Sequence, residues 1–318
     1  MVIVVGDIGG TNTRLALAEA DGPRFRLMHI ERFPTPAELP QLLQRYLHRV
    51  APHAPIAAAA FCGAGPPRAD GAIALTNHPC VLEPGPLAAV AGAPVTLIND
   101  FAAVAHAIPV LDDTDLRQLG GGPGIADAPK LALGAGTGLG VASLVADRGN
   151  WCVLTGEGGH ADLAPVDDDE LAVWLRLRAA HGALCAETIL SGSGIERLYA
   201  ACGGDGAADG AAIAAAAATG DPAALHAVQL FTRWLGRVSA NAALTLGARG
   251  GVYIAGGIVP AWGDLFDPAR FRAAFEDKPG FADWLRAVPS AVICHPQPAL
   301  LGLARLASTG TSTEFAAI

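Results

Sequence analysis

Residues 2–18, Val-Ile-Val-Val-Gly-Asp-Ile-Gly-Gly-Thr-Asn-Thr-Arg-Leu-Ala-Leu-Ala, constrain this chain more than any other stretch. The β-branched run at 2–5 reads as a buried strand and 15–18 as a second one. Between them, Gly6, Asp7, Ile8, Gly9, Gly10, Thr11 and Asn12 form a turn rich in residues that tolerate positive φ. Paired glycines let backbone N–H groups approach an anion closely, and Thr11 and Asn12 add neutral donors. Asp7 would repel a bare phosphate. It fits if a hydrated cation such as Mg²⁺ lies between carboxylate and phosphate. The plainer alternative is an ordinary Gly-rich hairpin with a solvated Asp.

A chain of 318 residues favours two domains and can bury roughly three quarters of its unfolded surface. Its 52% hydrophobic content is largely alanine, so the core should be helix-rich with small contacts. A formal charge of -9, from 21 Lys+Arg against 30 Asp+Glu, argues against nucleic acid or an anionic membrane as partner. A nucleotide needs only a local site and is unaffected by that balance. The 6 cysteines are scattered without a CxxC, so neither a zinc site nor a redox pair is indicated. With no basic leader and no apolar run long enough to span a bilayer, a soluble cytoplasmic protein is expected.

Residues 25–33 suggest a third strand, 36–49 a helix, 55–61 and 94–98 further strands, and 101–107 a helix stopping before Pro109. Strands first and crossover helices later suit an α/β sheet with a starting meander. The polar, Gly-rich stretch 110–129 reads as a seam between domains. A second hairpin follows at 130–146, where Gly134-Ala-Gly136-Thr137-Gly138-Leu-Gly140 repeats the strand, Gly/Thr turn, strand plan of the first. Helices are expected at 168–180, 186–201, 207–218, 222–246 and 299–307. A strand at 251–255 runs into Gly256-Gly257.

Two Gly/Thr hairpins and a strand followed by Gly-Gly suggest a nucleotide held between two similar lobes. Neither Lys130 nor Lys278 follows a glycine, so a P-loop is excluded, and no His-Arg-Asp loop of a protein kinase is present. The alternating glycines of 134–140 miss the Rossmann spacing. Asp100 ends an apolar strand, where it could take a proton from a substrate hydroxyl attacking a γ-phosphate, or simply cap the next helix. Glu157, His160 and Glu187 offer two carboxylates and an imidazole, a set suited to vicinal sugar hydroxyls; a Zn or Mn site is the sharper rival. Taken alone, His160 could be no more than a satisfied loop histidine. The run Asp167-Asp168-Asp169-Glu170 reads as a helix N-terminus matched to its dipole.

Taken in order, these segments resemble the bacterial ATP-dependent glucokinase family, nearly end to end. The resemblance is carried by Gly6-Asp-Ile-Gly-Gly-Thr-Asn12, Thr76-Asn-His78, Ile98-Asn-Asp-Phe-Ala-Ala-Val104, Gly134-Ala-Gly-Thr-Gly-Leu-Gly140, Gly156-Glu-Gly-Gly-His-Ala-Asp162, Glu187-Thr-Ile-Leu-Ser-Gly192, Ile254-Ala-Gly-Gly-Ile-Val-Pro260 and Phe271-Arg-Ala-Ala-Phe-Glu-Asp-Lys278. It implies a two-lobed actin-like ATPase (ribonuclease H-like) α/β fold, each lobe a mixed sheet with flanking helices. The small lobe would span 1–110, completed by a C-terminal helix at 299–318, and the large lobe 111–298.

The resemblance also implies glucose and ATP as substrates, Mg²⁺ as cofactor and a homodimer. Asp100 would be the general base on the glucose 6-hydroxyl, and Asn99, Asp100, Glu157, His160 and Glu187 would hold the sugar. Asp7 would meet Mg²⁺ through water. Gly6, Asp7, Ile8, Gly9, Gly10, Thr11, Gly136, Thr137 and Gly138 would surround the phosphates, with Gly256 and Gly257 beside the adenosine. The segment 61–68 and Pro79-Cys80 depart from the family's pattern on the sugar side of the small lobe, which bears on sugar preference. No Cys-rich zinc loop of the related sugar kinases follows His160, so no structural zinc is expected. The alternative is a sugar-sensing regulator or a low-activity paralogue; a hairpin starting at residue 2 leaves no room for an N-terminal helix-turn-helix.

Overall fold

A computed structural model describes residues 1–76, 78–205 and 208–309. Asn77, residue 207 of the expected helix at 207–218, and residues 310–318 of the expected C-terminal helix lie outside the described residues. The chain divides into two compact units. Unit 1 comprises Met1–Asp115, Asp147–Thr155 and the described residues from His295 onward; unit 2 comprises Leu116–Ala146 and Gly156–Cys294.

Unit 1 begins with the meander β1 (Val2–Ile8), β2 (Asn12–Asp21) and β3 (Arg24–Pro34). It continues through α1 (Leu39–Val50), β4 (Ile56–Gly63), the short pair β5 (Ile73–Ala74) and β6 (Val81–Leu82), α2 (Pro84–Ala91), β7 (Val95–Asn99) and α3 (Asp100–Ala107). The sheet order is β3-β2-β1-β4-β7, with β1 antiparallel to β2 and parallel to β4, which is parallel to β7. Ile3, Val4, Val5 and Ile8 are all fully buried, so β1 is covered on both faces and reads as a continuous apolar run. The turn is shorter than the sequence suggests. Gly6, Asp7 and Ile8 belong to β1, and only residues 9–11 connect the strands, because the ladder continues through Asp7↔Arg14 and Ile8↔Thr13.

Unit 2 contains β8 (Leu116–Gly120), β9 (Lys130–Ala135) and β10 (Leu139–Asp147); β11 (Asn150–Gly156) follows in the chain. Then come α4 (Asp168–His181), α5 (Ala186–Ile189), α6 (Gly192–Ala201), α7 (Gly210–Ala218) and α8 (Pro222–Leu246). β12 (Gly251–Ala255), α9 (Ile258–Trp262), α10 (Pro268–Glu276), α11 (Ala282–Ala287) and β13 (Ser290–Ile293) complete it. Within this unit the strand order is β10-β9-β12-β13-β8, with β9, β12 and β13 parallel. A helix, α12 (Pro298–Thr309), ends the described chain and packs in unit 1 on α3, β1 and β4.

Three readings change. The expected helix at 186–201 is two helices, because Ser191 caps α6 by accepting from Gly194 N at 3.1 Å. The expected seam at 110–129 contains β8, an edge strand too short and too close to glycines to be read from pattern. Glu170 does more than complement a dipole: it is fully buried and accepts from Arg237 Nη1 (2.7 Å), Trp234 Nε1 (3.1 Å) and Val166 N (3.1 Å), tying α4 to α8. Asp167 is the residue that caps α4, accepting from Glu170 N at 2.9 Å.

The second Gly/Thr hairpin is seated by two glycines where β9 meets β12. A Cβ on Gly134 would lie 2.4 Å from the Ala255 carbonyl, and Gly256, at φ +84, would place one 2.2 Å from Ala135 O. Both obstacles are backbone, so neither can step aside. Gly134→Ala is therefore expected to cost about 1–3 kcal/mol, as overpacked cores do, lowering the melting temperature of unit 2 by several degrees in calorimetry. An unchanged melting temperature would contradict this seating.

Candidate active site

In unit 1, Asp7 and Asp100 stand at the ends of β1 and β7, two strands separated in the sheet by β4. Asp7 lies near the end of β1, and Asp100 is the first residue of α3, directly after β7. Asn99 and Asp100 divide the two tasks that the sequence leaves open at this point. Asn99 Oδ1 accepts from Phe101 N (2.8 Å) and Ala102 N (3.3 Å), so Asn99 is the cap, and its Nδ2 donates to Gly65 O at 3.4 Å. Asp100 Oδ1 also accepts from Phe101 N at 2.9 Å.

Burial raises the Asp100 carboxyl from its ordinary 3.8 to about 6, and the charge of Asp7 pushes in the same direction. Hydrogen bonds from Phe101, its own backbone and Asn99 only partly oppose this. A carboxylate poised in that range can accept a proton near neutrality and is a candidate general base.

Asp7 is anchored by two groups that the sequence reading did not single out. Its Oδ2 accepts from Arg14 Nη1 at 3.1 Å, and its Oδ1 lies 3.6 Å from the Cys62 Sγ donor. Both partners face Asp7 across the ladder, since Asp7 registers with Arg14 on β2 and with Cys62 on β4. A correctly placed three-residue turn would have revealed Arg14 in the sequence. The Cys62 thiol is raised well above its usual value by burial first and then by Asp7 and Asp100, so it stays a neutral donor. Asp7 keeps one partly exposed hard-oxygen carboxylate. Among the described residues no three His, Cys, Asp or Glu side chains gather as metal ligands. A single carboxylate reached through water is a donor set that suits Mg²⁺, which keeps most of its hydration shell.

In unit 2 the structure brings Glu187, His160 and the glycine hairpin together. Glu187 Oε2 accepts from Leu139 N at 2.8 Å, and Oε1 lies 3.8 Å from His160 Nε2. A Cβ on Gly138 would fall 2.4 Å from Glu187 Oε2, so glycine there lets the carboxylate reach the hairpin backbone. Glu157 is exposed and precedes the one-turn helix Gly158–His160, where His160 N bonds to Glu157 O at 2.9 Å. Cys185 Sγ, 3.9 Å from His160 Nδ1, is a neighbour the sequence gave no reason to expect. Thr137, Gly256 and Gly257 are exposed at their loop tips, and Gly136 has open space where a Cβ would stand. Gly9 N bonds to Asn12 O at 2.9 Å, closing the first turn with Gly10 and Thr11 exposed.

The model of the glucokinase family matches residues 4–310. A glucokinase of Ralstonia nicotianae is 41% identical across 94% of this chain and 93% of its own length. The chain belongs to the glucokinase family. A glucokinase structure from an Antarctic psychrotroph matches with a TM-score of 0.89 at 32% identity, covering 97% of this chain and 99% of that one. A ROK family glucokinase from Streptomyces griseus, solved with glucose and AMPPNP, has a TM-score of 0.67 at 22% identity, covers 98% and 100% of the two chains, and shows the fold alone. The fold is the two-lobed actin-like ATPase fold, and the protein is an ATP-dependent hexose kinase. No helix among the described residues is long and apolar enough to cross a membrane.

Glu187 has a structural task that activity does not report. Truncating it to Ala leaves the Leu139 N–H, on a buried residue, without its acceptor; an orphaned donor of this kind costs about 1–3 kcal/mol. Glu187→Ala is expected to melt several degrees below the wild type while Glu187→Gln, which keeps an acceptor, stays close to it. Equal melting of all three by calorimetry would contradict that geometry.

Proposed function

We propose that this glucokinase transfers the γ-phosphoryl group of MgATP to the 6-hydroxyl of glucose with Asp100 as general base. The observation that carries this reading is the raised Asp100 carboxylate at the N-terminus of α3, next to the charge of Asp7. As the 6-oxygen attacks phosphorus, Asp100 takes its proton, and the raised carboxyl makes that transfer favourable near neutral pH. Asn99, Glu157, His160 and Glu187 hold the remaining sugar hydroxyls; carboxylates accept from them, and the neutral amide and imidazole can donate.

Backbone N–H groups of Gly9, Gly10, Thr11 and the 136–138 turn receive the phosphates, with Gly6, Asp7 and Ile8 forming the strand end behind them. Gly256 and Gly257 leave space beside the adenosine. Asp7 would hold Mg²⁺ through water, and the ion would supply charge neutralisation at the phosphate oxygens. The same reading makes the enzyme cytoplasmic and a homodimer, as the family resemblance implies.

The direct test is ADP production by purified protein with MgATP, alone and with glucose, mannose, fructose or N-acetylglucosamine. Strong stimulation by glucose is expected. Stimulation by another sugar would keep the chemistry and trace the preference to residues 61–80. Glucose binding without ADP production would overturn the reading in favour of a sensor.

Asp100→Asn should lower turnover by about two to four orders of magnitude, the range for losing a general base, with glucose affinity largely kept. In the wild type, turnover should fall as pH drops through about 6, because the base is then protonated. Near-normal turnover in Asp100→Asn, or a rate flat down to pH 4.5, would refute the assignment.

A further inference from the structure

The helix that carries Asp100 is short, and its far end is held by a device outside the substrate-facing residues. α3 has 8 residues, and His106 lies six positions beyond Asp100, about 9 Å along the axis at 1.5 Å per residue. His106 is 2% exposed and its Nδ1 lies 3.1 Å from Arg305 Nη1 on α12. A guanidinium can only donate, so Nδ1 accepts and the ring proton sits on Nε2. Burial, with Arg305 adding to it, lowers His106 to about 4, which keeps the ring a neutral acceptor in the neutral range.

The two helices also touch through backbone. A Cβ on Gly302 would stand 1.8 Å from Ala103 O and 2.8 Å from Ala107 N. Gly302 therefore sets how deeply α3 rests on α12, and the Arg305–His106 bond sets its position along that helix. α12 packs as well on β1, the strand of Asp7. One helix thus backs both elements that carry the paired carboxylates.

We propose that Arg305 and His106, seated by the Gly302 contact, are positioning residues for phosphoryl transfer, fixing α3 so that the Asp100 carboxylate is held in its reactive place relative to Asp7. This rests on the reading of Asp100 as general base. Neither side chain touches substrate. Their contribution is geometric, and a displacement of about 1 Å at a reacting group can cost up to roughly 100-fold in rate.

The test is a cycle of variants assayed at a temperature where circular dichroism shows each to be folded. His106→Met and Arg305→Met each break this tie and are expected to lower kcat about 5- to 50-fold, with the glucose dissociation constant changed less than about 3-fold by calorimetry. Removing both partners together still leaves α3 untied, so His106→Met/Arg305→Met should be about as slow as the slower single variant, without additive loss. Arg305→Lys keeps a donor and should hold kcat near wild type.

The proposal is overturned if both single variants keep wild-type kcat. It is also overturned if rates fall only in proportion to the folded fraction, or if the double variant recovers wild-type kcat. If a single variant fails to fold, Arg305→Lys and the double variant decide by the same criteria. A wild type without sugar-dependent ADP production would instead point to failure of the general-base reading itself.

Discussion

The unit 1 site depends on the placement of a buried Asp100 beside the charge of Asp7. The charge of Asp7 adds to burial in raising the Asp100 carboxyl, and the chain gives the two carboxylates different partners. Asp7 takes a guanidinium from Arg14 and a thiol from Cys62. Asp100 has only hydrogen-bond donors from its own helix start and Asn99, and its carboxyl rises to about 6. The pair is therefore split into one carboxylate held by Arg14 and Cys62 and one raised towards neutrality, the division of labour that the proposed phosphoryl transfer would use.

The fold serves this by placing both carboxylates on elements that cannot easily shift. β1 is buried on both faces, and α3 is capped by Asn99 at one end and packed on α12 along its length. Unit 2 repeats the logic at Glu187. One carboxylate oxygen receives the Leu139 N–H while the other faces His160. A group proposed to hold sugar is thereby fastened to the backbone of the hairpin proposed to hold phosphates. Binding at either end would be felt by the same carboxylate.

Much of this was legible in the residues. Both Gly/Thr hairpins, the meander, the long helix Pro222–Leu246 and the strand into Gly256-Gly257 follow from β-branched runs, periodicity and glycine placement. The residues proposed for the site that sit in dense local motifs, such as Asp7, Asp100 and Glu157 to His160, can be singled out from those motifs. What pattern could not reveal depends on contacts between distant segments. The extent of β1 through Asp7 depends on ladder register, and Arg14 became visible only with it. Cys62 faces Asp7 across a parallel pairing between strands more than fifty residues apart. The break between α5 and α6 is made by a single serine cap, and Glu170 hides among four acidic residues while being the one that is fully buried.

The measurement that bears most directly on this account is titration of the Asp100 carboxyl by NMR on protein labelled at the aspartate carboxyl carbons, assigned by the loss of one resonance in Asp100→Asn. The account predicts a midpoint near 6 that moves down when Asp7 is replaced by Asn, since one of its two causes is then gone. A midpoint near the ordinary 3.8, unmoved by that replacement, would contradict it.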